Sequence, residues 1–233
     1  MTRTVWAAFA ALLLVGCGFE GAPVGPEQRE SKSIDLDKSE MVRVEIKMAA
    51  GELNVEGGSP KLLEADFGYN VSAWKPIVRY DASSFRGQLN IEQPSGLHAV
   101  GNVDYKWDLR FNNDKPLDVV THLGAGEARM NLGSLNLRSL EVHMGVGELR
   151  LDLRGKPKRD YDVQIHGGVG QATVYLPNDT GIVANATGGI GNISVRGLEK
   201  RGGHWINPGR EHSPVTIHLD VKGGIGEINL AAE

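Results

Sequence analysis

Cysteine is almost missing: one residue, Cys17, in a chain of 233. A lone thiol excludes an internal disulfide framework and any Cys-rich zinc or iron–sulfur site. Aromatic residues are scarce at 6%. Basic residues are outnumbered, with 25 Lys and Arg against 29 Asp and Glu and a net charge of −4. No basic surface therefore argues for nucleic acid, and no nucleic-acid partner is expected. The apolar run Val5 to Val15 is too short for a membrane span, at ~16 Å against a ~30 Å hydrocarbon core. With 40% hydrophobic and 23% charged residues, the chain is neither wholly disordered nor a polytopic membrane protein. Glycine is what it has in excess: 31 of 233 residues, about 13% against a usual ~7%. There is no strict G-X-Y period, so collagen is excluded.

The first residues carry Arg3, then the short apolar run, then Leu14-Val15-Gly16-Cys17. This order reads as a signal peptide over 1–16. The last four residues resemble the bacterial lipobox. That resemblance implies cleavage after Gly16 and a lipid on Cys17, hence a membrane partner reached through the anchor. It also implies a place in the bacterial envelope, facing the periplasm or the exterior. Each buried acyl methylene contributes ~0.8 kcal/mol, so several chains hold a domain durably. The lipid would consume the only thiol and leave none for catalysis. Residues 17–40, rich in Gly, Pro, Ser and charge, read as a flexible tether.

Self-similarity dominates the rest. Five segments align without gaps: THLGAGEARMNL (121–132), VHMGVGELRLDL (142–153), IHGGVGQATVYL (165–176), ATGGIGNISVRG (186–197) and VKGGIGEINLAA (221–232). A weaker copy is IKMAAGELNVEG (46–57). The spacing of ~20–25 residues matches one coil of a β-solenoid. The longer last step predicts a coil carrying an insert over 196–214. Apolar and polar residues alternate with period two, as in half-buried strands, with no 3.6-residue stripe outside the signal peptide. Each copy holds a glycine pair: Gly124 and Gly126, Gly145 and Gly147, Gly168 and Gly170, Gly189 and Gly191, Gly224 and Gly226. These read as structural corners that need φ > 0 or leave no room for a Cβ against the next coil. The residue between them (Ala125, Val146, Val169, Ile190, Ile225) is expected to plug the corner from inside. Coils should follow sequence order, leaving the C-terminal strand as a thinly capped end available for pairing. Further strands are expected at Met41–Ile46, Leu53–Val55, Ile77–Tyr80, Leu89–Ile91 and Tyr105–Phe111.

With these residues in view, the chain resembles the toastrack domain of LiaF-type cell-envelope stress proteins, through NVDYKWDLRFNNDKPLDVVTHLGAGEARMNLGSLNLRSLEVHMGVGELRLDL (102–153) and DFGYNVSAWKPIVRYDASSFRGQLNIEQ (66–93). YLPNDTGIVANATGGIGNISVRGLEK (175–200) is similar to these and to adhesin-type solenoids. The resemblance spans roughly residues 41–233. It implies an all-β, single-stranded, right-handed β-solenoid that is not an enzyme, with an irregular N-terminal toastrack-like β region over 41–115 and the repeat solenoid over 116–233. LiaF-type proteins restrain a histidine-kinase stress system beside a multi-helix membrane region. This chain has a lipobox in place of that region.

His122, His143 and His166 share one repeat position and should stack at ~4.8 Å. A straight ladder does not give the tetrahedral convergence of a structural zinc site, so no metal is assigned. A second reading of the histidines is pH sensing. The glycine motifs lack G-x-x-x-x-G-K-[ST] and any Gly-rich loop opening a helix, so no nucleotide or other cofactor is expected. A β-helix enzyme acting on cell-wall polysaccharide is the rival class. It would need clustered acids, whereas Glu127, Glu148, Asp152 and Asp220 fall at separate repeat positions. Trp205, in the late insert, joins the three histidines as a candidate binding residue. The expected role is a binding or scaffold module whose partner is another envelope protein. The alternative role, implied by the resemblance, is an accessory regulator of envelope-stress signalling.

Overall fold

Alternation with period two puts every second side chain on one face of a strand, and nearly the whole chain follows it. The computed structural model describes residues 22–82, 85–95, 101–208 and 213–233. The signal segment and Cys17 lie outside the described residues. The strands are β1 (Gln28–Ile34), β2 (Met41–Gly57), β3 (Leu63–Tyr69), β4 (Ile77–Asp81), β5 (Arg86–Glu92), β6 (Tyr105–Phe111), β7 (Leu117–Asn131), β8 (Leu137–Asp152), β9 (Tyr161–Leu176), β10 (Gly181–Arg196), β11 (Glu199–Arg201), β12 (His204–Ile206) and β13 (Thr216–Ala232). The only helical turn among the described residues is a 3₁₀ turn, Ser72–Trp74.

The protein is an all-β solenoid. Six long strands stack in parallel in the order β2, β7, β8, β9, β13, β10, in one register apart from a shift between Leu117 and Asp118 where β7 meets β8. Each is creased at its glycines into two arms, so hydrogen bonding continues across the crease. Beneath β2 the sheet divides. Its first arm pairs with β5, which carries β4, and its second arm pairs with β6, followed by β3 and β1. The core holds Val42, Val44, Ile46 and Met48 from the first arm of β2 and Leu53 and Val55 from the second, with their counterparts in the layers above. Full burial of each such side chain contributes ~1.5–3 kcal/mol. The N-terminal end is closed by aromatics. Phe67 meets Trp107 edge-on at 5.5 Å, Trp74 meets Tyr105 at 5.7 Å, and the Tyr105 hydroxyl donates to the Trp74 carbonyl at 2.7 Å.

The crease explains the glycine pairs. The second glycine of each pair has φ between +128° and +144°, a backbone that L side chains rarely adopt. A Cβ on either glycine would also collide with the carbonyl oxygen of the equivalent glycine in the adjacent layer. Gly145 faces Gly124 in this way, Gly147 faces Gly126, and Gly191 faces Gly226. The first copy has Ala49 where the others have glycine. There β5 pairs only as far as Lys47 and β6 begins at Glu52. The Gln93 side chain fills the gap and accepts from the Ala49 amide at 2.8 Å.

Four findings depart from the sequence reading. First, β1 lies inside the stretch expected to be a tether and pairs with β3, so the sheet begins earlier. Second, the layers do not follow sequence order, because β13 inserts between β9 and β10. The C-terminal strand is therefore covered on both edges. The long last step is a crossover rather than an insert within a coil. The chain leaves β10, makes the β11–β12 hairpin, lays β12 against Val183 and Ala184, and returns. Asn207 pins the return: its amide donates to the Thr180 carbonyl at 2.5 Å and accepts from the Ile182 amide at 3.0 Å. Third, β3 is an additional strand within the irregular region. Fourth, the residue between each glycine pair does not plug the corner. Val146, Val169, Ile190 and Ile225 are 53%, 47%, 71% and 51% exposed. Their flanking glycines have no side chains to cover them, and Leu123 and Met144 fill the crease from inside instead.

At the position of Leu123 and Met144, the last three layers carry Gly167, Gly223 and Gly188. A cavity of ≈80 Å³ lies there, lined by Met144, Leu149, Ile165 and Ala172 among others. Neighbouring glycines should thus respond oppositely to alanine. A Cβ on Gly168 strikes the Gly145 carbonyl, whereas one on Gly167 meets nothing closer than 4.0 Å. Gly167→Ala is expected to stabilise by ~0.4–1 kcal/mol. Gly168→Ala should destabilise, and Gly147→Val or Gly191→Val should cost ~1–3 kcal/mol. Denaturant midpoints of the variants check all of these.

Candidate functional site

The outward positions of the two arms form columns, because the layers stack in register. On the first arm one column runs Lys47, His122, His143, His166, Lys222, Thr187. The imidazoles of His122 and His143 stack at 4.8 Å and 7°, and those of His143 and His166 at 5.0 Å and 12°. The column borders a surface groove that also includes Glu92, Gln93, Pro94 and Ser95. Its charged neighbours are paired: Lys47 with Glu45 at 2.8 Å, His143 with Glu141 at 2.6 Å, and Lys222 with Asp220 at 3.5 Å. Partial burial holds the His122 pKa below its ordinary value, and the adjacent His143 acts in the same direction. Among the described residues, no group of three or more His, Cys, Asp or Glu side chains is placed to hold a metal ion.

On the second arm the acids meet arginines two residues on. Glu127 pairs with Arg129 at 2.5 Å, Glu148 with Arg150 at 2.6 Å, and Asp152 with Arg154 at 2.6 Å. Arg154 also reaches Glu233 at 2.7 Å and lies over the Tyr175 ring. These carboxylates are engaged in surface ion pairs. Hydrogen bonding to Arg154 keeps the Asp152 carboxyl below its usual pKa despite its partial burial.

Between the arms, the crease carries a third column, Ala50, Ala125, Val146, Val169, Ile225, Ile190. It forms an exposed apolar crest that sequence alternation assigned to the interior. Trp205 stands apart from the histidines, on β12. Its ring is half-buried against the core, with the Lys200 ammonium 5.5 Å from the ring centre. The structure thus brings the three histidines together and leaves Trp205 on the hairpin beside β10.

The family model for the N-terminal domain of toast_rack (DUF2154) matches residues 23–175. The chain belongs to the toast-rack family. The match runs from before β1 into β9, across the boundary expected near residue 115. A solved structure from Clostridium sporogenes, described as a candidate cell adhesion protein, is 31% identical and superposes with a TM-score of 0.84. The match covers 89% of this chain and 100% of that one. A candidate adhesin from Bacteroides fragilis aligns at 9% identity over 89% of this chain and 100% of its own, with a TM-score of 0.40. No curated protein matches the chain.

The depressed His122 pKa gives the toast-rack stack a pH dependence with a definite sign. Folded His122 binds its proton less tightly than in the unfolded chain. Its share of stability is complete above the ordinary value of 6.5 and is lost as pH falls through 6.5 toward the folded value. Wild type should therefore lose more thermal stability between about pH 7.5 and about pH 5.5 than His122→Gln does. Melting curves at the two pH values check this, and equal losses would remove His122 from the effect.

Proposed function

We propose that the protein is a lipid-anchored, non-enzymatic binding module of the bacterial cell envelope, and that its partner is another envelope protein. The observation that carries this reading is the likeness, over 89% of this chain, to the Clostridium sporogenes candidate cell adhesion protein. The site geometry supports it. The layers make a continuous in-register sheet, suited to presenting columns of side chains at fixed spacing. The acids a glycosidase would need are held in pairs with arginines. The histidine column and its groove are the contact face, and Cys17 is the anchor.

Two measurements test the two halves of the proposal. Cys17→Ser should move the protein from the membrane fraction to the soluble fraction and remove the lipid mass from the mature chain. An unchanged distribution defeats the anchor. A photo-crosslinking side chain at His143 should give one discrete adduct with an envelope protein in intact cells. Loss of that adduct on His122→Ala or His166→Ala would support the column as the face. Retention of the adduct in both variants, or no adduct at all, defeats it.

A further inference from the structure

Edge strands offer unpaired backbone groups to any other strand, and proteins guard them with charge or proline. Three edges here follow that rule. β1 carries Arg29, Glu30 and Lys32, β4 carries Arg79 and Asp81, and β11 is Glu-Lys-Arg. The remaining edge does not. β10 ends the stack of long strands, and among the described residues its outer edge pairs only with β12, at Val183 and Ala184. Among the described residues the backbone edge of 185–196 has no strand partner, although the Asn185 side chain bonds the His204 ring at 2.7 Å, and residues 187–193 are exposed. From Gly181 to Val195 there is no charged residue and no proline. Every other long strand carries charge along the same positions. The one long strand with a free length of outer edge among the described residues is thus the one without a charged guard from Gly181 to Val195.

We propose that this edge pairs with the same edge of a second copy, giving a closed dimer with β10 antiparallel to its mate. The only charge in the stretch is Arg196 at its end, which this register sets opposite Asn185 of the partner subunit, so the strand meets itself with no like-charge contact and self-pairing suits it where a charged partner strand would find no complement. The shape fits as well. The free stretch 185–196 has its midpoint between Ile190 and Gly191, at the crease. A two-fold axis through the crease superposes the first arm of one copy on the second arm of the other, so both creases bend the same way. Thr187 then faces Ser194 of the partner subunit, and Gly188, which has no side chain, faces Ile193 of the partner subunit. The two apolar crests join at Ile190. The opposite end of the stack finishes in the charged edges of β1 and β4, which disfavours head-to-tail addition. The contact closes instead of growing into a fibre.

The register makes the test specific. The full chain, purified in mild detergent, should sediment at twice the monomer protein mass and shift toward monomer on dilution. Thr187→Glu with Ser194→Glu sets glutamates against each other across the axis and should give monomer. Thr187→Glu with Ser194→Lys changes the same positions but sets glutamate against lysine twice, and should remain dimeric. Hydrogen exchange of wild type gives a readout that does not depend on variants folding: amides of 185–196 should be protected at high concentration and exchange on dilution. A wild-type chain that is monomeric at every concentration, a dimer that survives the paired glutamates, a monomeric Glu/Lys variant, or exchange at 185–196 that ignores concentration would each overturn the proposal.

Discussion

Layer contact at the crease governs the rest of the structure. The carbonyl oxygen of a glycine in one layer occupies the volume that a Cβ would claim in the next. Two such contacts occur in each repeat, one on either side of the apolar crest residue. They let long strands bend together without breaking a hydrogen-bonded ladder, because every layer bends at the same residue with the same backbone sign. Side chains at the crease are consequently placed by the neighbouring glycines. They lie uncovered at the apex, while the core is filled from the positions before and after it.

Much of this was legible in the sequence, and the parts that were not have identifiable causes. The arms were legible because burial on one face leaves a period-two record, as in Leu149, Leu151 and Leu153. The crease was legible because it is local and recurs. The crest was misread because the crease resets the phase of the alternation. Counting by twos from Met144 puts Val146 inside, yet the next buried residue is Leu149, three further on. β1 was missed because Gln-Arg-Glu-Ser-Lys-Ser-Ile lacks an apolar face. Pairing with β3 makes it a strand, and its composition remains that of a linker.

Layer order was illegible for a deeper reason. All copies present nearly the same crease, so any could stack on any other. Gly224 sits against Gly168, and Gly189 sits against Gly224. Asn207 and the strand that carries Trp205, both outside the repeat, hold the returning chain against the start of β10. The candidate site behaves similarly. The stacking of His122, His143 and His166 follows from repeat position, but the groove beside them depends on Gln93 to Ser95, which lie outside the aligned copies. Repetition encodes the scaffold, and the departures from it encode where things sit.

The place of β13 constrains the order in which the molecule can be completed. β9 and β10 emerge first, separated by a short connection, yet they end up one strand apart. Until β13 arrives, those two strands must either stay open or pair wrongly with each other, and a wrong pairing would have to be undone. β13 is thus a keystone set between finished courses. Losing it would split the wall and not merely shorten it.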